Sequence, residues 1–250
     1  MKTEWDYTNL AAAYVKRPDY AAAAVDALLA VAHCGPGARV CDVGAGVGHL
    51  TLMLAERGLS VVAVEPNDAM RALGIRRTAD FPSVAWAEGV GEATGQKTGA
   101  FDMVTFGSSF NVCDRPKALV EARRLLKPGG TFACLWNHRD LADPFQARVE
   151  GLIRSMVPGY DYGSRREDQT EVIRVSGLFE SPGIIQMPIR HGVPATDWIE
   201  AWRSHATLQR QAGPRFPEVI AAIEDLVTRE RLTSIDVPYD TRMWVARAVS

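Results

Sequence analysis

The stretch RVCDVGAGVGHLTLMLAERGLSVVAVEP, Arg39 to Pro66, decides the fold. Val40, Cys41 and Val43 make the short apolar run of a strand buried on both faces. Gly44, Gly46 and Gly48 supply the turn that follows; without a Cβ, such residues adopt φ > 0 and let a ligand approach the main chain. His49 to Arg57 carries Leu50, Leu52, Met53 and Leu54, an apolar set that suits a helix, and Gly58 stands where a helix-ending glycine belongs. Val61 to Val64 reads as a second buried strand, with Glu65 at its carboxyl end. Strand, glycine turn, helix and strand together form a βαβ nucleotide-binding unit. Its acid falls about 20 residues past the glycines, where a carboxylate accepts hydrogen bonds from both hydroxyls of a ribose.

Taken alone, this unit serves a dinucleotide or S-adenosylmethionine (SAM) equally well. The spacing of the glycines separates them. A dinucleotide fingerprint places glycine or alanine where this chain has His49. Asp42 to Gly48, D-V-G-A-G-V-G, resembles instead the first motif of the class I SAM-dependent methyltransferases, (D/E)-x-G-x-G-x-G. That resemblance implies a Rossmann-like α/β fold: a seven-stranded mixed sheet with an antiparallel last strand, helices on both faces and a helical cover over the active site. It also implies SAM as cofactor and S-adenosylhomocysteine (SAH) as product.

Composition narrows the field. The 250 residues are 47% hydrophobic and 23% charged, ordinary for a globular protein. A net charge of -2 gives no electrostatic case for nucleic acid or an anionic membrane. No apolar run reaches bilayer length and MKTEWDYTN lacks a signal peptide's apolar core, so a cytoplasmic enzyme is expected. Cys34, Cys41, Cys113 and Cys134 show no C-x-x-C spacing and read as small, reduced, apolar filler.

Ahead of the first strand lies WDYTNLAAAYVKRPDY, Trp5 to Tyr20, and then an Ala-rich helix over Ala21 to Ala32. Y-x-x-R-P-x-Y resembles the N-terminal lid of methyltransferases of this size. Tyr14 and Arg17 are thus expected at SAM, with Arg17 toward its carboxylate, and Trp5 and Tyr7 at one wall of the substrate pocket. After Glu65 and Pro66, Asn67 or Asp68 caps a further helix. Val84 to Ala87 is the third strand, and EGVGEATG follows it. In the family this loop brackets adenine, which points to Gly91 and Glu92. Phe101 to Phe106 is the fourth strand, running into GSSFNVCD and the helix Pro116 to Leu126. There the lysine, proline and glycines of K-P-G-G end the helix and turn the chain into a fifth strand, Phe132 to Trp136.

E-A-R-R-L-L-K-P-G-G between helix and strand makes the resemblance firm. Residues 10–140 are similar to the small-molecule branch of the family, which includes the ubiquinone/menaquinone and trans-aconitate methyltransferases. Many relatives carry an aromatic or H-W pair where this chain has Asn111-Val112, so a reshaped pocket wall is expected and no family substrate carries over. Beyond Asp143 the sequence gives an amphipathic helix Phe145 to Val157, a polar loop PGYDYGSRREDQT and a strand Ile184 to Ile189. Helices Asp197 to Gln209 and Pro217 to Arg231 and a last strand Ile235 to Val249 follow. No linker cuts the chain. One domain is expected over 1–250, with the lid in 1–35, the SAM-binding core in 36–140 and the substrate cover in 141–250.

In an open α/β sheet, ligands bind beyond the carboxyl ends of the strands. This rule gathers Asp42, Gly44, Ala45, Gly46, Glu65, Gly107 and Ser108 around one cleft, with Asp42 facing the cofactor's ammonium and Glu65 its ribose. His138, in W-N-H-R-D, and His205, in W-R-S-H-A, are the candidate acid/base residues. Phe110, Asn111, Trp136, Asn137 and Trp202 are candidates for touching the acceptor, the aromatic ones by stacking on a flat molecule. Packing of the cover against the sheet explains the tryptophans equally well. Asn137 and Asp140 are too few to specify a metal site, and none is expected. The function expected is methyl transfer to a nitrogen or oxygen of a small molecule, such as a heteroaromatic secondary metabolite. The competing readings are an NAD-dependent oxidoreductase and a catalytically silent binding protein with the same fold. Neither the acceptor nor the oligomeric state is legible.

Overall fold

The computed structural model describes residues 8–249. Trp5 and Tyr7, expected at the substrate pocket, lie outside the described residues. A short helix α1 (Ala11–Tyr14) and a longer α2 (Ala22–Ala32) precede β1 (Arg39–Val43). The parallel half then alternates: α3 (His49–Ala55), β2 (Ser60–Val64), α4 (Asp68–Arg77), β3 (Val84–Ala87), β4 (Phe101–Gly107), α5 (Arg115–Leu125) and β5 (Leu126–Arg139). After β5 come α6 (Pro144–Met156), α7 (Thr170–Val175) and β6 (Gly183–Pro194). α8 (Ala195–Arg203), α9 (Ala206–Ala212), α10 (Phe216–Arg229) and β7 (Ser234–Arg247) complete the chain's elements.

The strands form one seven-stranded sheet in the order β3-β2-β1-β4-β5-β7-β6. The first five pair in parallel, and β7 inserts antiparallel between β5 and β6. This is the mixed sheet expected, with the expected last strand. Alternation along the strands feeds a core on each face. Cys41, Val104, Phe106, Phe132 and Cys134 pack against Leu119 and Ala122 of α5 and Ile173 of α7. Val40, Met103, Ala133 and Leu135 pack on the other face against Val25 and Leu28 of α2 and Leu50 and Leu54 of α3. A third cluster binds α6, α8, α9 and α10 to Ile235 and Val237 of β7, and this is the helical cover.

Helix starts follow the capping residues. Asn67 accepts from the Met70 amide at 3.0 Å, and Asp143 accepts from the Phe145 and Gln146 amides, each satisfying orphan donors of a first turn. Three expectations change. The helix expected from Asp197 to Gln209 breaks at Ser204, because the His205 imidazole takes the Leu208 amide and starts α9 afresh. The polar loop after α6 contains a short 3-10 turn, Gly163–Arg166, and then α7, whose six residues show too little periodicity to find. α5 ends at Leu125 ahead of K-P-G-G, and Leu126 already pairs with Phe101, so K-P-G-G lies inside an irregular start to β5, with Gly129 in the left-handed region.

Candidate active site

A cavity of about 510 Å³ opens beyond the carboxyl ends of β1, β2, β4 and β5. Asp42, Gly44, Ala45, Gly46, Glu65, Pro66, Gly91, Glu92, Gly107 and Ser108 line one end of it, with Tyr14 and Arg17 alongside. Every residue expected at the cofactor therefore borders one space. Asn137, His138, Arg139, Tyr162, Arg165, Arg166, Trp198, Trp202, His205 and Tyr239 line the other end.

The turn after β1 has the geometry its glycines foretell. Gly44 sits at φ +67°, and a Cβ there would lie 2.4 Å from the Ser109 Cβ, so no larger residue fits. Gly46, at φ +58°, would aim a Cβ at open space, meeting only the Tyr14 ring at 4.0 Å. Glu65 is only 6% exposed, yet it lines the cavity. Its Oε2 accepts from the Gly46 amide and its Oε1 from the Asn67 amide, both at 2.8 Å. Each oxygen is thereby fixed by one backbone donor and keeps further acceptor capacity. Burial raises its pKa against the pull of those two amides. Asp42 accepts from Thr51 at 2.7 Å and Thr105 at 2.9 Å, and burial pushes its carboxyl up to about 6. Gly91 backs onto Cys113, whose Sγ would stand 2.4 Å from a Cβ at 91. Glu92 accepts from the Asp114 amide at 2.6 Å and ties this loop to the start of α5.

The segment Tyr14 to Ala21 closes over the cavity and is held from many sides. His49 bonds Asp19 at 2.7 Å and the Tyr14 carbonyl at 3.1 Å. Asn137 donates to the Asp19 carbonyl at 2.8 Å and accepts from Thr241 at 2.6 Å. Tyr20 shares a hydrogen bond with Ser108, itself in the left-handed region at φ +59°. Arg17 donates to the Ser204 hydroxyl and carbonyl at 3.0 and 2.7 Å and lies over the Tyr14 ring, joining this segment to the cover. Sequence reasoning passed over His49 and missed that it latches the lid. Position 49, first of α3 and facing the glycine turn, was the available signal. Asn137, expected beside the acceptor, has its amide used by the lid and β7.

At the cover end, His138 donates through Nε2 to the Arg165 carbonyl at 3.1 Å, which leaves the lone pair on Nδ1. Burial, with Arg165, Arg166 and Arg242 nearby, lowers its pKa to about 4. His205 accepts the Leu208 amide through Nδ1 at 3.1 Å, so in its neutral form the proton stands on Nε2. Burial and the charges of Arg17, Arg165 and Arg139 hold it well below the usual histidine range. His205 is thus a hydrogen-bond donor and has no free nitrogen to take a proton, against the acid/base role expected. It stacks on Trp202, with 5.2 Å between centroids, and the Arg139 guanidinium lies 4.6 Å from the same ring, so protein groups already engage that surface.

Two of the expected acceptor contacts lie elsewhere. Phe110 is fully buried edge-on to Phe106 and Phe132 in the core. Trp136 is equally buried, against Trp244, because it shares the β5 face of Phe132 and Cys134, which packs into the core under α5 and α7. Asn111 accepts from the Trp136 indole at 2.9 Å and borders a side recess of about 30 Å³. Sequence reasoning missed Arg139, Tyr162, Arg165 and Arg166, which come from the end of β5 and from the loop read only as polar. Among the described residues no group of three His, Cys, Asp or Glu side chains could hold a metal, and no helix is long and apolar enough to cross a membrane.

Residues 41–134 match the profile of a methyltransferase domain family. An uncharacterized methyltransferase of Mycobacterium tuberculosis is 39% identical over 50% of this chain and 48% of its own length. The ubiquinone/menaquinone biosynthesis C-methyltransferase of Methylobacterium nodulans is 30% identical over 58% of this chain and 61% of its own. This chain thus spans about half the length of the curated relatives it matches. Among solved structures, a candidate type II methyltransferase from Anaeromyxobacter dehalogenans superposes with a TM-score of 0.65 at 21% identity, covering 93% of this chain and 97% of that one. That likeness establishes the fold.

Proposed function

Since residues 41–134 match a methyltransferase domain family, we propose that the chain is a class I enzyme transferring a methyl group from SAM to a nitrogen or oxygen of a small molecule. The observation that carries this reading is Glu65, a buried carboxylate with each oxygen steadied by one amide and room left for a sugar's two hydroxyls. The residues fit the cofactor. A side chain at Gly46 would fill the space beside Tyr14, and Asp42 brings a negative charge to the same end of the cavity. Glu65 would hold the ribose, Gly91 and Glu92 the adenine edge, and Asp42 with Arg17 the amino-acid end. Bound there, SAM supplies an activated methyl on a sulfonium.

The chain's own part is alignment and exclusion of water. Tyr14 to Ala21 and the cover enclose the cavity from two sides, and the bonds from His49, Asn137 and Arg17 hold that enclosure shut. His138 offers a lone pair at Nδ1 to a proton leaving the acceptor. So weak a base suits an atom that turns acidic as it is methylated, and does not suit deprotonation of an alcohol beforehand. His205 donates a hydrogen bond and orients. Trp198 and Trp202 border the same space with their rings already packed against Phe145, His205 and Arg139.

Isothermal titration with SAH and NAD, side by side on the purified chain, tests the proposal. SAH binding at one per chain with no heat from NAD is the expected result. Preferential NAD binding would instead favour the oxidoreductase, and no binding of either the silent protein.

A further inference from the structure

Four guanidinium groups, those of Arg17, Arg139, Arg165 and Arg166, line one cavity. Their fields overlap: Arg17 and Arg166 depress the Arg165 pKa together with burial, and Arg17, Arg139 and Arg165 all act on His205. Only Arg139 has a carboxylate partner among the described residues, Glu150 at 3.4 Å. Glu150 is shared besides with Arg154 at 2.9 Å and with the Tyr162 hydroxyl at 2.5 Å. Arg17 gives two of its donors to Ser204, and Arg166 gives one to the Arg139 carbonyl while it lies over Tyr162. Among the described residues the Arg165 side chain makes one long hydrogen bond, 3.3 Å, to the Asn137 carbonyl. A guanidinium has five N–H donors, so Arg165 brings nearly its whole fork to the cavity unspent.

Clustered like charges taken out of water are costly unless something of opposite sign joins them. The cofactor does not discharge this wall. With its ammonium toward Asp42, its carboxylate would meet Arg17 alone of the four, and its sulfonium adds positive charge. Asp42 and Glu65 serve the other end of the cavity, held by hydroxyls and amides. The missing negative charge therefore belongs to the second ligand. Building on the methyltransferase reading above, we infer that the methyl acceptor carries an oxyanion group, carboxylate or phosphate, and that Arg165 binds it with Arg166 beside it. Guanidinium matches either anion through paired N–H bonds. Because the Arg165 carbonyl holds His138, an anion at Arg165 brings the acceptor next to the Nδ1 lone pair.

The test uses the whole chain saturated with SAH and three probes of one size: 2-naphthoate, 2-naphthyl phosphate and the neutral 2-naphthalenemethanol. Calorimetry is expected to give at least one anion about tenfold or more over the alcohol, a difference of about 1.4 kcal/mol. Whichever anion binds tighter identifies the head group. In Arg165→Gln the preference is expected to fall below about threefold while SAH affinity stays within about twofold. Equal binding of alcohol and anions by the wild type overturns the inference, and that comparison stands even if the variant fails to fold. Undiminished preference in folded Arg165→Gln overturns it too, as does a collapse of SAH affinity, which would assign this guanidinium to the cofactor. If SAH does not bind and naphthoate does, the methyltransferase reading fails and the anion site survives.

Discussion

Replacing Glu65 by glutamine changes one atom and disturbs two bonded systems. Each carboxylate oxygen accepts one amide at 2.8 Å, from Gly46 and from Asn67. Glutamine has one oxygen, so one of those amides must face an NH₂ group. A buried donor left unpaired costs about 1–3 kcal/mol. In a chain of this size that corresponds to a fall of about 2–12 °C in Tm. Binding suffers separately. One sugar hydroxyl loses a charged acceptor, worth about 1.5–3 kcal/mol, and the other keeps only a neutral one. Together these put the loss of SAH affinity at about 2–4 kcal/mol, or about 30- to 1000-fold. Calorimetry at a temperature well under the variant's Tm reads the second effect apart from the first. A folded Glu65→Gln protein that binds SAH within about threefold of wild type would show that no sugar rests on this carboxylate.

The glycine turn makes a paired prediction: Gly44→Ala drives a Cβ to 2.4 Å from Ser109 at positive φ and is expected to cost more than about 2 kcal/mol in denaturant unfolding. Gly46→Ala meets nothing closer than 4.0 Å, so about 1 kcal/mol of stability and a marked loss of SAH binding are expected; the reverse ranking for stability would refute the turn's geometry. Asp42 is held near 6 in the fold against 3.8 ordinarily, so between those values the native state keeps a proton that the unfolded chain has lost. Its contribution is fully present at low pH and fades as pH climbs from about 4 to 6, by about 3 kcal/mol; Asp42→Asn should flatten the profile, and parallel curves would refute this. Imidazole ¹⁵N NMR is expected to find His138 and His205 neutral and protonated on Nε2 from about pH 5.5 to 8, facing Arg165, Arg166 and Arg242 in one case and Arg17, Arg139 and Arg165 in the other. A His138 resonance titrating near its ordinary value would remove the cationic wall from the picture.

The parallel half of the sheet was legible because β1 to β4 and the centre of β5 are short apolar runs set off by polar turns. Asn67 starts its helix where the sequence puts it. That the residues expected at a cofactor border one cavity was legible too, since Asp42, Gly44 to Gly46, Glu65 and Gly107 sit on strand ends whose positions the fold dictates. The lining of the cavity's other end was not. Phe110 and Trp136 are aromatic residues beside a cleft, and sequence cannot tell which face of β5 or which side of a 3-10 turn they take; both went into the core. Arg165 and Arg166 stand on a loop with no periodicity, brought to the cavity by the His138 and Asn137 bonds across 27 and 28 residues. His205 looked like a base because its residue type is one. Its role was set by a neighbouring amide, which no composition reveals.

The place of β7 bears on how the chain is made. β6 pairs with β7 alone, and β5 has β7 along its second side, so both wait for Ser234–Arg247. As the polypeptide leaves the ribosome, the five parallel strands can assemble while Phe132 to Trp136 still present an unsealed, apolar margin. That margin is the kind on which unfinished sheets stick to one another. The last strand arrives as a keystone, closing the seam and bringing Thr241 to the lid's anchor in the same movement. One strand thus both completes the sheet and anchors the segment that encloses the cavity.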